Sequence, residues 1–119
     1  ADMLPDFERF FQTYPPGKDV ALTQAPRNRK RLGRHPMDIV CQSLADTYYL
    51  PYIAMFAPWQ KPHRGRCLHD QPPHIVGVSP HPIIYVLDDI ATTHTTIRLS
   101  VQALQAQGYH AHGLVYVRY

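Results

Sequence analysis

Two adjacent acids, Asp88 and Asp89, follow five consecutive apolar residues and precede a threonine-rich segment, ATTHTT. Threonine hydroxyls and the unpaired backbone N–H groups at the start of a helix can bind a phosphate, because a helix N-terminus carries a partial positive charge. Carboxylates are poor phosphate ligands but good acceptors for the hydroxyl groups of a sugar. The local chemistry therefore predicts a ribose on the two acids and a 5′-phosphate in the segment from Ala91 to Thr96.

These residues need a strand before them and a helix after them. The apolar run at residues 83–87 predicts a strand that is buried on both faces of a parallel sheet. Apolar residues recur at helical spacing over residues 95–107, and Gly108 is a natural helix end. A second strand is predicted at residues 114–117. This strand–helix–strand order predicts an α/β fold with a mainly parallel sheet flanked by helices, whose ligands bind at the carboxyl ends of the strands.

The first half of the chain supplies further elements of the same fold. A helix is predicted at residues 4–14, with Leu4, Phe7, Phe10 and Phe11 on its buried side, and a second helix at residues 36–49, with Cys41 in the core. Strands are predicted at residues 19–23, 52–56 and 75–78. An irregular loop is predicted at residues 58–73, where prolines cluster.

Length and composition indicate the class of protein. A chain of 119 residues is long enough for one domain, and 45% hydrophobic with 18% charged residues fits a globular protein with a core. No apolar run reaches the roughly 20 residues of a membrane span, and the first residues do not resemble a signal peptide. Cys41 and Cys67 lie in unrelated contexts. We therefore expect a reduced, cytoplasmic protein without a disulfide framework.

The positive charge is concentrated in one segment, the basic cluster, which contains Arg27, Arg29, Lys30, Arg31 and Arg34. The whole chain carries a net charge of +3. A cluster of this kind suits a polyanion, either a nucleic acid or a phosphorylated small molecule, and a solvated loop is an equally good interpretation. The pairs Cys67 with His69 and His110 with His112 lack a second ligand pair at zinc-site spacing.

The segment IYVLDDIATTHTT at residues 84–96 resembles the signature of the type I phosphoribosyltransferases. That signature is an apolar run, two acids, two variable residues and then Thr-Thr-Gly-x-Thr. The matching residues are Asp88, Asp89, Thr92, Thr93 and Thr96, and His94 stands at the position of the glycine. Upstream, the order of strand, proline, basic loop and helix in residues 20–45 is similar to the competence-associated branch of that family.

The resemblance implies a phosphoribosyltransferase-like fold and a glycosyl transfer from 5-phosphoribosyl 1-pyrophosphate to a nitrogen acceptor. It implies that Asp88 and Asp89 are the catalytic acids, which bind the ribose hydroxyls and stabilise a cation-like transition state. It further implies a 5′-phosphate site formed by Ala91, Thr92, Thr93, His94, Thr95 and Thr96. Pyrophosphate would meet the loop that contains Arg27, Arg29 and Lys30, together with Mg²⁺.

The histidine at the glycine position leaves several interpretations open. Glycine serves there because it tolerates positive φ and lets the backbone approach the phosphate, whereas His94 adds a Cβ and a ring. The chain is therefore either an active transferase or a ribose-phosphate-binding regulatory module without turnover. A nucleic-acid-associated protein that uses the basic cluster is the third interpretation, and a homo-oligomer is left open.

Overall fold

The structure, a computed structural model, describes residues 3–26, 36–58, 73–89 and 95–116. Within these residues the helices are α1 (Leu4–Thr13), α2 (Pro36–Tyr48) and α3 (Thr95–Ala106), and the strands are β1 (Val20–Gln24), β2 (Ile83–Asp88) and β3 (His110–Val115). None of these helices is long and apolar enough to cross a lipid bilayer. These elements follow the predicted order. Each helix begins at its predicted first residue and ends one residue before its predicted last residue.

The three strands form one parallel sheet in the order β1-β2-β3. Val20 of β1 pairs with Ile83 of β2, and Ile83 pairs with His110 of β3. Because all three strands run in the same direction, their carboxyl ends meet at one edge of the sheet, with Asp88 at the end of the middle strand. A parallel pair needs a crossover connection, which α3 provides between β2 and β3.

Helices cover both faces of this sheet, as a parallel sheet requires. On the first face, α1 and α2 pack over a core that includes Phe7, Phe11, Leu22, Met37, Cys41, Leu44 and Leu87. On the second face, α3 packs over a core that includes Ala21, Met55, Ile84, Val86, Ile97, Leu104 and Ala111. Alternate residues of β2 belong to the two cores, which confirms the prediction of a strand buried on both faces.

The segment after α2 lies along the outer edge of β1. It forms a single bridge between Tyr52 and Leu22, so the prediction of a regular strand at residues 52–56 is wrong. The N–H of Leu22 donates to the carbonyl of Pro51 at 2.9 Å, and the N–H of Ile53 donates to the carbonyl of Leu22 at 2.9 Å. Pairing then stops because the N–H of Met55 donates to Oγ1 of Thr23 (3.2 Å) instead of a backbone carbonyl.

The short strand predicted at residues 75–78 is also reduced, to a single antiparallel bridge between Phe56 and Ile75. The N–H groups of Val76 and Gly77 both donate to the carbonyl of Met55, at 2.8 and 3.3 Å. A regular ladder gives each carbonyl its own donor, so this convergence ends the pairing after one bridge. Most of the predicted loop at residues 58–73 lies outside the described residues.

The predicted bounds of β3 are wrong, because the strand begins at His110, four residues before the predicted start. His110 and His112 are exposed, while Ala111 between them is buried in the core under α3. This alternation of polar and apolar residues is the period of a strand with one covered face. The predicted start at residue 114 followed only the continuous apolar run and missed the alternating part.

Close packing of α3 on β3 depends on Gly113. A Cβ at this position would lie 2.7 Å from Cγ1 of Ile97 and 3.5 Å from Cγ2 of Val101. We expect Gly113→Ala to lower the free energy of unfolding by about 1–3 kcal/mol, which is the usual cost of overpacking. Urea denaturation measures this loss. Gly17→Ala is the control, because a Cβ there meets no atom within 4 Å, and equal losses in the two variants would contradict the packing argument.

Candidate functional site

The two acids lie at the carboxyl end of the middle strand. Asp88 is the last residue of β2, and its carbonyl accepts the N–H of Tyr116 at 3.1 Å, so its backbone is held against the end of β3. Its side-chain Oδ1 accepts the N–H of Asp89 at 2.9 Å. Both acids are half-buried. They therefore lie at the sheet edge where α/β proteins bind ligands, and their roles toward a ribose stay predictions.

The remaining predicted site residues divide into two groups. Thr95 and Thr96 begin α3 and are half-buried, and the carbonyl of Thr96 accepts the hydroxyl of Ser100 at 2.6 Å. The others lie outside the described residues: Ala91, Thr92, Thr93 and His94 of the phosphate segment, and Arg27, Arg29 and Lys30 of the basic cluster. Their roles, and the nucleic-acid interpretation of the basic cluster, stay predictions.

The topology places a crevice between β1 and β2. From β1 the chain passes through α2 on the first face to the segment at residues 51–53, on the outer side of β1. From β2 it passes through α3 on the second face to β3, on the other side. In open α/β sheets, ligands bind outside the carboxyl ends of two neighbouring strands whose connections lead in opposite directions. Asp88 and Asp89 lie beside that point.

A cleft of about 170 Å³, which we name the β1 cleft, opens at the carboxyl end of β1. It lies between the end of that strand, the first turn of α2 and the segment that follows α2. Its lining residues are Thr23, Gln24, Ala25, Pro26, Asp38, Tyr52, Ala54, Met55, Phe56 and Pro58. Sequence reasoning missed this cleft, because none of its polar residues belongs to a recognisable motif.

A small polar network crosses the β1 cleft. The hydroxyl of Tyr52 lies 3.2 Å from Oε1 of Gln24 and 3.4 Å from Oδ1 of Asp38. A phenolic hydroxyl has one proton, so Tyr52 donates to only one of these two oxygens at a time. The network joins β1, α2 and the segment after α2, so the cleft is built from parts of the chain that are distant in sequence.

The thiol of Cys41 lies beneath this network. The pKa of Cys41 is raised to about 12. Burial has the largest effect, the charge of Asp38 raises the pKa as well, a hydrogen bond from Tyr52 lowers it, and the charge of Asp88 adds a smaller rise. Burial also raises the pKa of Tyr52, and Cys41 and Asp38 raise it by smaller amounts. Both groups are therefore neutral at neutral pH, and the charges that act on them from nearby are negative.

The raised pKa of Cys41 predicts a loss of stability at alkaline pH. Above its ordinary pKa of 9.0 the unfolded thiol loses its proton, while the folded thiol keeps it until about pH 12. The unfolded state then binds fewer protons, so the free energy of unfolding falls as pH rises, by at most about 1.4 kcal/mol per pH unit.

Urea denaturation of the wild type and Cys41→Ala at pH 8, 9 and 10 measures this slope. We expect the variant to be less stable at pH 8, because it leaves a cavity, but to lose less stability between pH 9 and 10. Cys41 also raises the pKa of Tyr52, so its removal reduces the contribution of Tyr52 to the slope in the same direction. Identical slopes would mean that the thiol does not stay protonated in the folded state.

The donor set fits magnesium that is held together with a phosphorylated substrate. Among the residues that the structure describes, no group of three or more His, Cys, Asp or Glu side chains could hold a metal ion. Mg²⁺ is usually bound by one or two carboxylates, substrate phosphates and water rather than by an all-protein cage. Asp88 and Asp89 supply carboxylate oxygens of that type. A site of this kind forms only when the substrate supplies the other ligands.

Comparisons with known proteins identify the fold class. No protein-family model and no curated protein matches the sequence. Among solved structures, the arrangement of strands and helices matches an α/β fold of the phosphoribosyltransferase type. The similar structure is that of orotate phosphoribosyltransferase from Aeropyrum pernix, with a TM-score of 0.51 and 22% sequence identity over 97% of this chain.

The similarity has a defined extent. The match covers 64% of the orotate phosphoribosyltransferase chain, so this chain spans less than two thirds of that protein's length. At 22% identity the similarity shows a shared fold. It confirms the predicted mainly parallel α/β fold of phosphoribosyltransferase type, while the assignment to the competence-associated branch stays a prediction.

Proposed function

We propose that this chain binds 5-phosphoribosyl 1-pyrophosphate or a related ribose phosphate, and transfers the phosphoribosyl group to a nitrogen acceptor. The observation that carries the proposal is the position of Asp88 and Asp89. Asp88 ends the middle strand and Asp89 follows it, so two half-buried carboxylates lie beside the point where the connections of β1 and β2 lead in opposite directions, and the next helix begins at Thr95. The phosphoribosyltransferase-like fold supports the same ligand class.

The two carboxylates have a binding role and an electrostatic role in this proposal. They accept hydrogen bonds from the 2′- and 3′-hydroxyls of the ribose, which orients C1 toward the acceptor. As the bond from C1 to pyrophosphate breaks, positive charge develops on the sugar, and fixed negative charge at the sheet edge stabilises it. The bond from C1 to the acceptor nitrogen then forms.

The phosphate groups are bound by the other predicted residues. The 5′-phosphate meets the segment from Ala91 to Thr96 and the N-terminus of α3, where backbone N–H groups and hydroxyls donate hydrogen bonds. Arg27, Arg29 and Lys30 are the proposed contacts for pyrophosphate. Magnesium, when bound, supplies positive charge that offsets the charge of the leaving pyrophosphate.

Isothermal titration with 5-phosphoribosyl 1-pyrophosphate, ribose 5-phosphate and ribose tests the binding part of the proposal. We expect both phosphorylated sugars to bind, the pyrophosphate compound more tightly in the presence of Mg²⁺, and ribose not to bind measurably. A pyrophosphate-release assay with a panel of bases and amines then tests transfer. Binding without release assigns the chain to the regulatory class, and no binding of either phosphorylated sugar would overturn the proposal.

A further inference from the structure

We propose that the free edge of β3 is an interaction surface for an extended segment of another protein, in which a small apolar residue is flanked, at alternate positions, by acids. The segment adds to the sheet as a further strand beside β3. This surface lies on the side of β2 away from β1, and the inference does not depend on the proposed transfer function.

The outward backbone groups of β3 are available for pairing. The N–H of His110 donates to the carbonyl of Pro82 at 2.8 Å, and the parallel register continues from there to Val115, so the even-numbered residues of β3 bond to β2. Successive residues of a strand direct their backbone groups to opposite sides, so those of Ala111, Gly113 and Val115 point away from β2. Within the described part of the chain, no backbone group bonds to them.

The six residues of β3 lack the features by which edge strands usually avoid pairing. Those features are a proline, a lysine, a bulge or a covering segment. The sequence of β3, HAHGLV, contains neither proline nor lysine, and its register with β2 is continuous. At the other edge of the sheet, the N–H of Leu22 on β1 donates to the carbonyl of Pro51, so that edge is covered. The edge of β3 is therefore suited to the addition of a strand from a partner.

A groove of about 440 Å³, which we name the β3 groove, lies between this edge and α3. Its apolar walls are Ile97 and Val101 of α3 and Val115 of β3, with Gly113 between them. Side chains alternate between the two faces of a strand, so every second side chain of an added strand enters the groove. An apolar side chain suits the position opposite Gly113, because the walls are apolar and β3 contributes no side chain there.

The charged side chain of the groove is positive. Arg98 lines the groove, is exposed, and forms no ion pair within the described part of the chain. The side-chain amides of Gln102 and Gln105 also line it, and they donate as well as accept hydrogen bonds. Asp88 ends β2, two strand spacings or about 10 Å from an added strand, where salt screens much of its charge. A carboxylate two positions from the apolar residue therefore complements the groove.

A second copy of this chain fits the edge less well. A twofold antiparallel pair that bonds all the outward groups places Gly113 opposite the same glycine of the other copy. A Cβ at Gly113 would lie 2.7 Å from Cγ1 of Ile97 and 3.5 Å from Cγ2 of Val101, so this part of α3 lies close to the axis. Arg98, beside Ile97, then faces the same arginine across the axis, and like charges repel. The groove therefore favours an acidic segment.

Two peptides of the same shape test the inference in nuclear magnetic resonance titrations: acetyl-Glu-Thr-Val-Thr-Glu-amide and acetyl-Lys-Thr-Val-Thr-Lys-amide. The central valine and the two end residues share one face of a strand, so the charges flank the valine in the groove whichever direction the peptide runs. We expect the glutamate peptide to bind about tenfold more tightly, because the lysines replace an attraction to Arg98 by a repulsion. Equal or tighter binding of the lysine peptide would overturn the inference.

Amide hydrogen exchange locates the peptide on the edge. In the free protein, the N–H groups of Ala111, Gly113 and Val115 should exchange faster than those of His112 and Leu114, which bond to β2. The glutamate peptide should slow exchange at the first three residues only. Unchanged exchange at these three would place the peptide elsewhere and overturn the inference. Protection in the free protein that is lost on dilution would assign the edge to a second copy, which would also overturn it.

A charge reversal tests the contribution of Arg98. Arg98→Glu should bind the lysine peptide more tightly than the glutamate peptide, and we expect the fold to be retained because the side chain is exposed. Lys18→Glu is the matched control, because it makes the same change of charge at an exposed residue just before β1, on the far side of the sheet. It should keep the wild-type preference. If the preference for the glutamate peptide survives Arg98→Glu, the inference is wrong.

Discussion

Asp88→Asn and Asp89→Asn should each weaken ribose 5-phosphate binding by roughly tenfold to one hundredfold. An ionised carboxylate that accepts hydrogen bonds from sugar hydroxyls contributes about 1.5–3 kcal/mol, and about 1.4 kcal/mol corresponds to a factor of ten in affinity. Asparagine has nearly the same size, keeps one acceptor oxygen and removes the charge. It also retains an Oδ1 at position 88 that can accept the N–H of Asp89, so we expect the fold to be retained.

Isothermal titration measures the affinity, and urea denaturation checks the fold. Asp19→Asn is the matched control, because it removes the same charge from an exposed acid at the opposite end of the sheet, just before β1. We expect it to bind as the wild type does. If the substitutions at positions 88 and 89 also leave the affinity unchanged, the acids have another function and the ribose site lies elsewhere.

The sequence predicted this strand and its acids correctly because the signals are local. A continuous apolar run is stable only where both faces of a strand are covered, and Leu87 and Val86 do belong to opposite cores. Polar residues directly after such a run must leave the core. Their position at the carboxyl edge of the sheet follows from the direction of the strand, which the order of elements determines.

The β1 cleft could not be predicted in the same way. Gln24, Asp38 and Tyr52 are single polar residues at the ends of ordinary elements, separated from one another by 14 or 28 positions. Their meeting depends on the path of the chain after α2, along the outer edge of β1. Residues 52–56 have the composition of a strand, and the bond from Met55 to Thr23, which ends the pairing, is a tertiary contact.

Helix ends show the same division between local and tertiary signals. Helix α3 ends at Ala106; Gly108, two residues later, has a φ of 96°, and the N–H of Tyr109 donates to the carbonyl of Leu104. Helix α2 ends in the same way, with the N–H of Leu50 donating to the carbonyl of Ala45, but Tyr49 takes the left-handed position with φ of 54°. The glycine in the sequence predicts the end of α3. The second depends on burial of Leu50, which composition does not reveal.

Phe11→Ala should lower the free energy of unfolding by about 3–5 kcal/mol, the usual cost of truncating a buried phenylalanine. Phe11 is 0% exposed, stacks on Tyr85 of β2 with ring centroids 5.9 Å apart, and meets the edge of Tyr48 of α2 at 5.3 Å. One side chain thus connects α1 to both the central strand and the neighbouring helix. Its removal leaves a cavity that these rings cannot fill without leaving their own contacts.

The adjacent Phe10 provides the control for this substitution. The helical pattern predicted both phenylalanines on the buried side of α1, but Phe10 is 37% exposed, because consecutive residues of a helix are 100° apart and only one can point at the sheet. Phe10→Ala should therefore cost less than about 1 kcal/mol in urea denaturation. Equal losses would mean that α1 is rotated from the orientation described.

A binding measurement on folded Phe11→Ala shows whether α1 also positions the two acids, because Phe11 packs on β2. If α1 only stabilises the strand, the variant should still bind ribose 5-phosphate. Weaker binding would show that α1 also positions Asp88 and Asp89.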